Sequence, residues 1–318
     1  GDVYREEVEK EAIVLRVAES FLRFGHFQYY AHSEQNDVVK DLCDFVIENY
    51  YPDFKDRPNA YVLLFQEVTK RTAKLFSYWQ SVGFCHGVLN TDNMSILGLT
   101  LDYGPYGFID NFDQDFICNH SDHEGRYSLG NQPSIGLWNL QALAEAINPL
   151  LTEEEKKRTL ETYPQIFFVH YRKLLLDKCG LYTNQLEDED FLRGTLNMLV
   201  FTKLDYTNFF RALSRYNHKS GKIPNIEDSE SLKTWLTSYD ERLGLESVSE
   251  SERHIRMLEV NPKFVLRNYV AQIAIDDPKL VPIIFDILTH PFDEWNEYEE
   301  WSRPAPKKYK NLTVSCSS

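Results

Sequence analysis

The sequence has no long hydrophobic run, no cysteine pairing motif and no excess of positive charge, and each absence removes a class of function. The best apolar stretches, such as residues 280–288, are broken by Pro282 and Asp286. They fall short of the roughly 18 apolar residues of a membrane helix, so no membrane partner is expected. The opening residues, GDVYREEVEKE, are charged throughout and do not read as a secretory signal. The sequons at Asn93, Asn119 and Asn311 therefore have no expected role. Cys43, Cys85, Cys118, Cys179 and Cys316 are scattered, with no Cys-x-x-Cys and no zinc-like spacing. That usage suits a reducing interior. Lys and Arg total 34 against 49 Asp and Glu, a net charge of −15, which argues against a broad basic face for nucleic acid. A small basic pocket for phosphates is still compatible with it, because net charge averages over the surface. No internal repeat and no Gly-x-Gly-x-x-Gly loop occurs.

What is present is a globular composition. Hydrophobic residues make up 42% of the 318, including 19 Tyr and 20 Phe, which excludes intrinsic disorder. The length is a soft prior for about two domains. Residues 2–12 read as a polar helical segment, and Ile13–Val17 as a short β-branched strand. An aromatic stretch punctuated by Gly25 follows. Apolar spacing predicts a helix over Asp37–Tyr50, with Val38, Val39, Leu42, Phe45, Val46 and Tyr50 on one face. A longer helix is predicted over Tyr61–Val82, with Leu64, Val68, Ala73, Phe76 and Trp79 buried. Residues 83–133 hold 7 of the 14 glycines and read as loops, where ordered domains place chemistry. Within them Ile96–Leu101 reads as a strand or tight hairpin. Beyond Pro133 the pattern is helical: Ser134–Ile147, a helix capped by Thr152, then Phe191–Leu204, Tyr206–Tyr216, Ile226–Tyr239 and Lys279–Leu288. The tail from Arg303 is expected to lack a core of its own.

The block HGVLNTDNMSILGLTLDYGPYG, residues 86–107, concentrates reactive residue types. Asp92 and Asn93 end one loop, and Asp102 follows an apolar run. A hairpin turning near Leu97 and Gly98 would bring Asn93 and Asp102 together. Two hard oxygen donors with few other protein ligands suit Mg²⁺ bound to phosphates. Asp and Asn also cap turns, and spacing alone leaves both readings open. The His120–His123 run, His-Ser-Asp-His, reads as structural rather than metal-binding.

His86-Gly87, five residues and then Asn93 resemble the catalytic loop of protein-kinase-like phosphotransferases, and Asp102-Tyr103-Gly104 resembles their metal-binding Asp-Phe-Gly element. The position of the kinase catalytic acid, five before Asn93, is Val88. A hydrocarbon cannot accept a proton, so the motif is that of a pseudokinase. The block 86–110, the segment FICNHSDHEGRY, the run NQPSIGLWNL, the upstream RVAESFLRFGHF and the ending Cys316-Ser317-Ser318 resemble the selenoprotein O family, also called the YdiU-type family. The resemblance covers nearly the whole chain. It implies an α+β, protein-kinase-like fold, mainly a helical C-lobe with a small β element at the metal site. It implies transfer of AMP from ATP to Ser, Thr or Tyr hydroxyls of target proteins. Uridylyl transfer with Mn²⁺ and a non-catalytic scaffold are the alternatives. By motif position Asp92 is the proton acceptor, Asn93 and Asp102 bind Mg²⁺ or Mn²⁺, and Arg16 and Arg23 join Asp102 in contacting the nucleotide. Ion pairing with surface acids is the competing role for both arginines. A redox bridge between Cys118 and Cys316 is also implied, against two free thiols; Cys43, Cys85 and Cys179 are expected to be packing residues.

Neither a glycine-rich loop nor a Val-Ala-Ile-Lys-like strand precedes the block. The chain is therefore expected to be a C-terminal piece, itself inactive: residues 1–30 as remnant of an N-lobe, 31–302 as the helical lobe and 303–318 as the tail. A monomer is expected, cytoplasmic if bacterial and mitochondrial if eukaryotic.

Overall fold

The computed structural model describes residues 2–4, 8–10, 13, 15–309, 312 and 314. Among the described residues helices dominate, with two small antiparallel sheets. β1 (Asp2–Tyr4) pairs with β2 (Val8–Lys10), so the described residues between 2 and 12 are extended where a polar helix was expected. The segment offers no apolar stripe to bury, and Val3, Tyr4 and Val8 favour an extended backbone. Residue 13 and residues 15–17 do not form the expected strand either: Ile13, Leu15 and Val17 are almost fully exposed and have no ladder partner among the described residues. β-branched residues alone do not make a strand where there is neither an edge nor a core to pair with.

The first core gathers α1 (Phe24–His32), α2 (Asn36–Tyr50), α3 (Ala60–Val82) and α4 (Gln132–Ala146). α3 buries Leu64, Val68, Ala73, Phe76 and Trp79, the predicted stripe. α2 is rotated from its expected face: Val39, Cys43, Val46 and Ile47 are buried while Phe45 is half exposed. α5 (Glu153–Leu160) opens on Thr152, whose hydroxyl accepts from Glu155 N while Glu155 returns a bond to Thr152 N. Thr152 is thus the expected N-cap, and the bond returned by Glu155 completes a reciprocal capping box.

The second core is built by α6 (Thr162–Lys178), α7 (Asp188–Thr202), α8 (Tyr206–Leu213), α9 (Glu230–Leu243) and α10 (Glu250–Val260). Tyr171 of α6 packs against both cores and joins them. A third, smaller core packs α11 (Asn268–Asp276) and α12 (Val281–Thr289) around Trp301. The tail borrows this core: Tyr309 stacks on Tyr269 at 5.9 Å, and His120 N donates to Val314 O at 2.8 Å. Among the described residues no helix is long and apolar enough to cross a membrane.

Candidate active site

Gly83 caps α3 in the left-handed region (φ +67°) and turns the chain into β3 (Phe84–Cys85). β3 pairs antiparallel with β4 (Gly107–Phe108), matching Phe84 to Phe108 and Cys85 to Gly107. Residues 86–106 thus leave one strand and return on the next, with both ends fastened.

Inside this loop the buried polar groups are paired, as a dry interior requires. His86 Nε2 lies 2.8 Å from Leu101 O and Nδ1 lies 3.4 Å from Val88 N. A carbonyl only accepts, so Nε2 bears the proton and Nδ1 receives the Val88 N–H. Burial lowers the pKa of His86, which keeps the ring neutral at pH 7. His86 therefore fixes the segment just before Asp102 and is not placed to shuttle protons. From α4, Gln132 Oε1 accepts from His86 N at 2.8 Å while its Nε2 donates to Phe84 O at 2.9 Å. One turn-pair further, Asn139 Nδ2 donates to Leu89 O at 2.9 Å. These two fully buried amides hold the loop backbone, and sequence reasoning missed both. Their i, i+7 spacing on an otherwise apolar helix face was the available signal.

The apolar run is a tight hairpin. Met94 bridges Thr100 across a turn in which Gly98 has φ +69°. This sets Asp92 and Asn93, in the turn Thr91–Asn93, and Asp102 at the same open end. Asn93 Nδ2 donates to Val88 O at 2.8 Å, which commits its nitrogen and leaves Oδ1 to accept. Asp102 is itself left-handed at φ +56°. A non-glycine residue held there is a local strain that its surroundings must enforce.

Two arginines close the site. Arg23 pairs with Asp102 Oδ2 at 2.7 Å, and its Nη1 also donates to Asp92 O at 2.7 Å. Arg16 pairs with the other oxygen of the same carboxylate. All five residues expected at the site, Arg16, Arg23, Asp92, Asn93 and Asp102, are thereby drawn to one place. α1 completes it: Phe24 N donates to Met94 O at 2.9 Å, and the first turn of the helix presses on Asp92. A Cβ on Gly25 would overlap Asp92 Oδ1. Gly25→Ala is expected to push the Asp92 carboxylate aside. It should lower kcat by about 10-fold to 100-fold with little change in unfolding midpoint, a displacement effect of the kind that costs orders of magnitude in rate. Unchanged kcat would place Asp92 away from the reacting groups.

Cys118 Sγ donates to Cys85 O at 3.3 Å beneath Gly87. Hydrogen bonding between the two thiols lowers the pKa of Cys85 and raises that of Cys118. Cys43, Cys85 and Cys179 are buried, in keeping with packing roles. The expected bridge from Cys118 to Cys316 lies outside the described residues. Asp122 of the His-Ser-Asp-His run spends its carboxylate on Arg126 N and Tyr127 N, capping a turn.

The arrangement has counterparts in known proteins. The profile of a family described as protein adenylyltransferase SelO matches residues 1–299. The chain belongs to the SelO family. Among SelO relatives, the protein nucleotidyltransferase YdiU of Pectobacterium carotovorum is 42% identical over 99% of this chain and 67% of its own length. That of Klebsiella pneumoniae is 43% identical with the same coverage. That of Thioalkalivibrio sulfidiphilus is 44% identical, again over 99% of the chain and 67% of the relative. The SelO match runs through α1 to α12 and the whole of the loop 86–106, so the chain is a member of a nucleotidyltransferase family throughout these parts.

Proposed function

We propose that the protein transfers AMP from ATP to hydroxyl side chains of other proteins, using the site formed by Arg16, Arg23, Asp92, Asn93 and Asp102 on a protein-kinase-like scaffold. The observation that supports this best is the convergence of Arg16 and Arg23 on Asp102. Two guanidinium groups beside a carboxylate and a spare amide oxygen provide for both parts of a metal–triphosphate, the phosphate oxygens and the cation.

Asp102 and Asn93 Oδ1 fit a hard divalent cation such as Mg²⁺ or Mn²⁺, since both are oxygen donors and Asn93 cannot turn its nitrogen inward. When bound, the cation would neutralise charge on the phosphates. Entering phosphate oxygens would take over the two arginines and free the Asp102 carboxylate. Arg16 and Arg23 would then hold the pyrophosphate as leaving group. Attack falls on the α-phosphorus, and Asp92, at the exposed rim of the loop, accepts the proton of the incoming hydroxyl. Val88 offers no carboxylate at the ordinary kinase position, which disfavours γ-phosphoryl transfer.

The test is incubation of the full-length protein with a protein acceptor, Mg²⁺ or Mn²⁺, and nucleotide labelled at one position. Label from α-labelled but not γ-labelled ATP is expected. Transfer from γ would mean a kinase, more efficient transfer from α-labelled UTP a uridylyltransferase, and no transfer at all a scaffold; each would overturn the proposal.

A further inference from the structure

We propose that the groove between α7 and α9 is a docking surface for a basic, apolar segment of a partner protein. The groove encloses about 810 Å³. Phe191, Met198 and Trp235 line it, and Gly194 opens it, with no atom near the place a Cβ would take. Phe201, 78% exposed, and Leu245, 56% exposed, stand at its edges as uncovered apolar walls. Contiguous apolar surface of this kind, bordered by polar residues, marks an interaction site more often than scattered surface residues do.

Charge selects the occupant. Glu187, Asp190, Glu230 and Glu241 rim the groove and are all exposed. Asp190 pairs with Arg193, but Glu187, Glu230 and Glu241 have no ion-pair partner among the described residues. The cation in the lining, Arg242, is buried and committed to Asp188 at 2.6 Å, to Glu246 at 2.8 Å and to Thr183 O at 2.6 Å. An apolar floor under unpaired carboxylates fits a segment with one or two large apolar anchors flanked by Lys or Arg, and repels anionic ligands. The apolar anchors supply affinity in such a groove and the flanking charges supply selectivity. α7 also leads directly to Asp205, which bridges Asn111 in the segment that follows Asp102. A partner seated here would lie against the helix that runs into this bridge.

Two fluorescently labelled peptides of equal length test this, one with Leu and Phe anchors among lysines, the other with every Lys replaced by Glu. Binding to the full-length protein is read by anisotropy at low and high salt. The lysine peptide should bind, more weakly as salt rises, and the glutamate peptide should not. Glu230→Lys with Glu241→Lys should weaken the lysine peptide about tenfold. Glu230→Gln with Glu241→Gln should weaken it less and flatten the salt dependence. Phe201→Ala with Leu245→Ala should weaken it by tenfold or more, with circular dichroism confirming that each variant is folded. Equal binding of both peptides, or indifference to all the substitutions, would overturn the proposal. So would concentration-dependent dimerisation abolished by Phe201→Glu without peptide binding, which would assign the groove to a second copy of the chain.

Discussion

Replacing Asp102 by alanine is expected to lower α-label incorporation by about 10³-fold or more, on the scale of losing a preorganised charge at a reacting centre. Folding stability should change by only about 1 kcal/mol. The two magnitudes separate because of where Asp102 sits. Its partner Arg16 is more than half exposed, so that pair is solvent-screened and contributes little to stability. Arg23 keeps its bond to Asp92 O when the carboxylate is gone. The backbone at φ +56° is less comfortable for alanine than for aspartate, which accounts for the small stability loss. Asp102→Gly removes the carboxylate while relaxing the backbone. It should be as inactive as alanine and at least as stable as the unaltered protein. Asp102→Asn should keep the fold and lose most activity, since it retains an oxygen but not the charge. Steady-state kinetics and urea unfolding of the three variants decide the matter. Substantial transfer by Asp102→Ala would remove Asp102 from the site.

The largest stability effect is expected at Arg267, which is almost fully buried. Its guanidinium bonds Asp110, Asp205 Oδ1 at 2.9 Å and Ser302 O at 3.3 Å. It thereby joins the segment following β4, the N-terminus of α8 and the third core. Asp205 also caps α8 by accepting from Asn208 N at 2.9 Å. Arg267→Ala would leave the Asp205 carboxylate buried without its cation, at a cost of about 3–5 kcal/mol. Burial already raises the pKa of Asp205, with Arg267 opposing. A carboxyl pKa raised by folding means the native state holds its proton to higher pH than the unfolded chain, so stability falls as pH rises through the native value. Without Arg267 that pKa rises further. The deficit of Arg267→Ala should therefore be greatest near neutral pH and shrink as the solution is acidified toward the usual carboxylate range. Arg267→Met with Asp205→Asn removes both charges, and asparagine still caps α8. This pair should recover part of the loss in a double-mutant cycle. A pH-independent deficit, or no recovery in the double variant, would show that packing alone accounts for Arg267.

Much of this organisation was legible in the sequence. α3 and its stripe from Leu64 to Trp79 followed from apolar period and the N-cap at Thr152 from residue order, while the apolar run at Gly98 was legible as a strand or a tight hairpin, of which the structure shows the hairpin. The five site residues came from the motif in 86–107 and from RVAESFLRF, not from periodicity. What failed did so for a physical reason. Residues 2–17 contain both helix-forming charges and β-branched residues, and local preference could not say which would find a partner. The face of α2 was displaced because Cys43 and Ile47, not Phe45, meet α1 and α3 in the first core.

The sequence by itself determined which residue types stand at the site and that Val88 is not an acid. It also determined the helical character of the chain beyond Pro133. Only the tertiary structure decided that Gln132 and Asn139 hold the loop and that Gly25 is small because α1 presses on Asp92. It alone showed that Arg16 and Arg23 share one carboxylate, and that acids on α7 and α9 rim one groove. Propensity and motif act between neighbours along the chain. These contacts join residues far apart in sequence, and long-range packing alone brings them together.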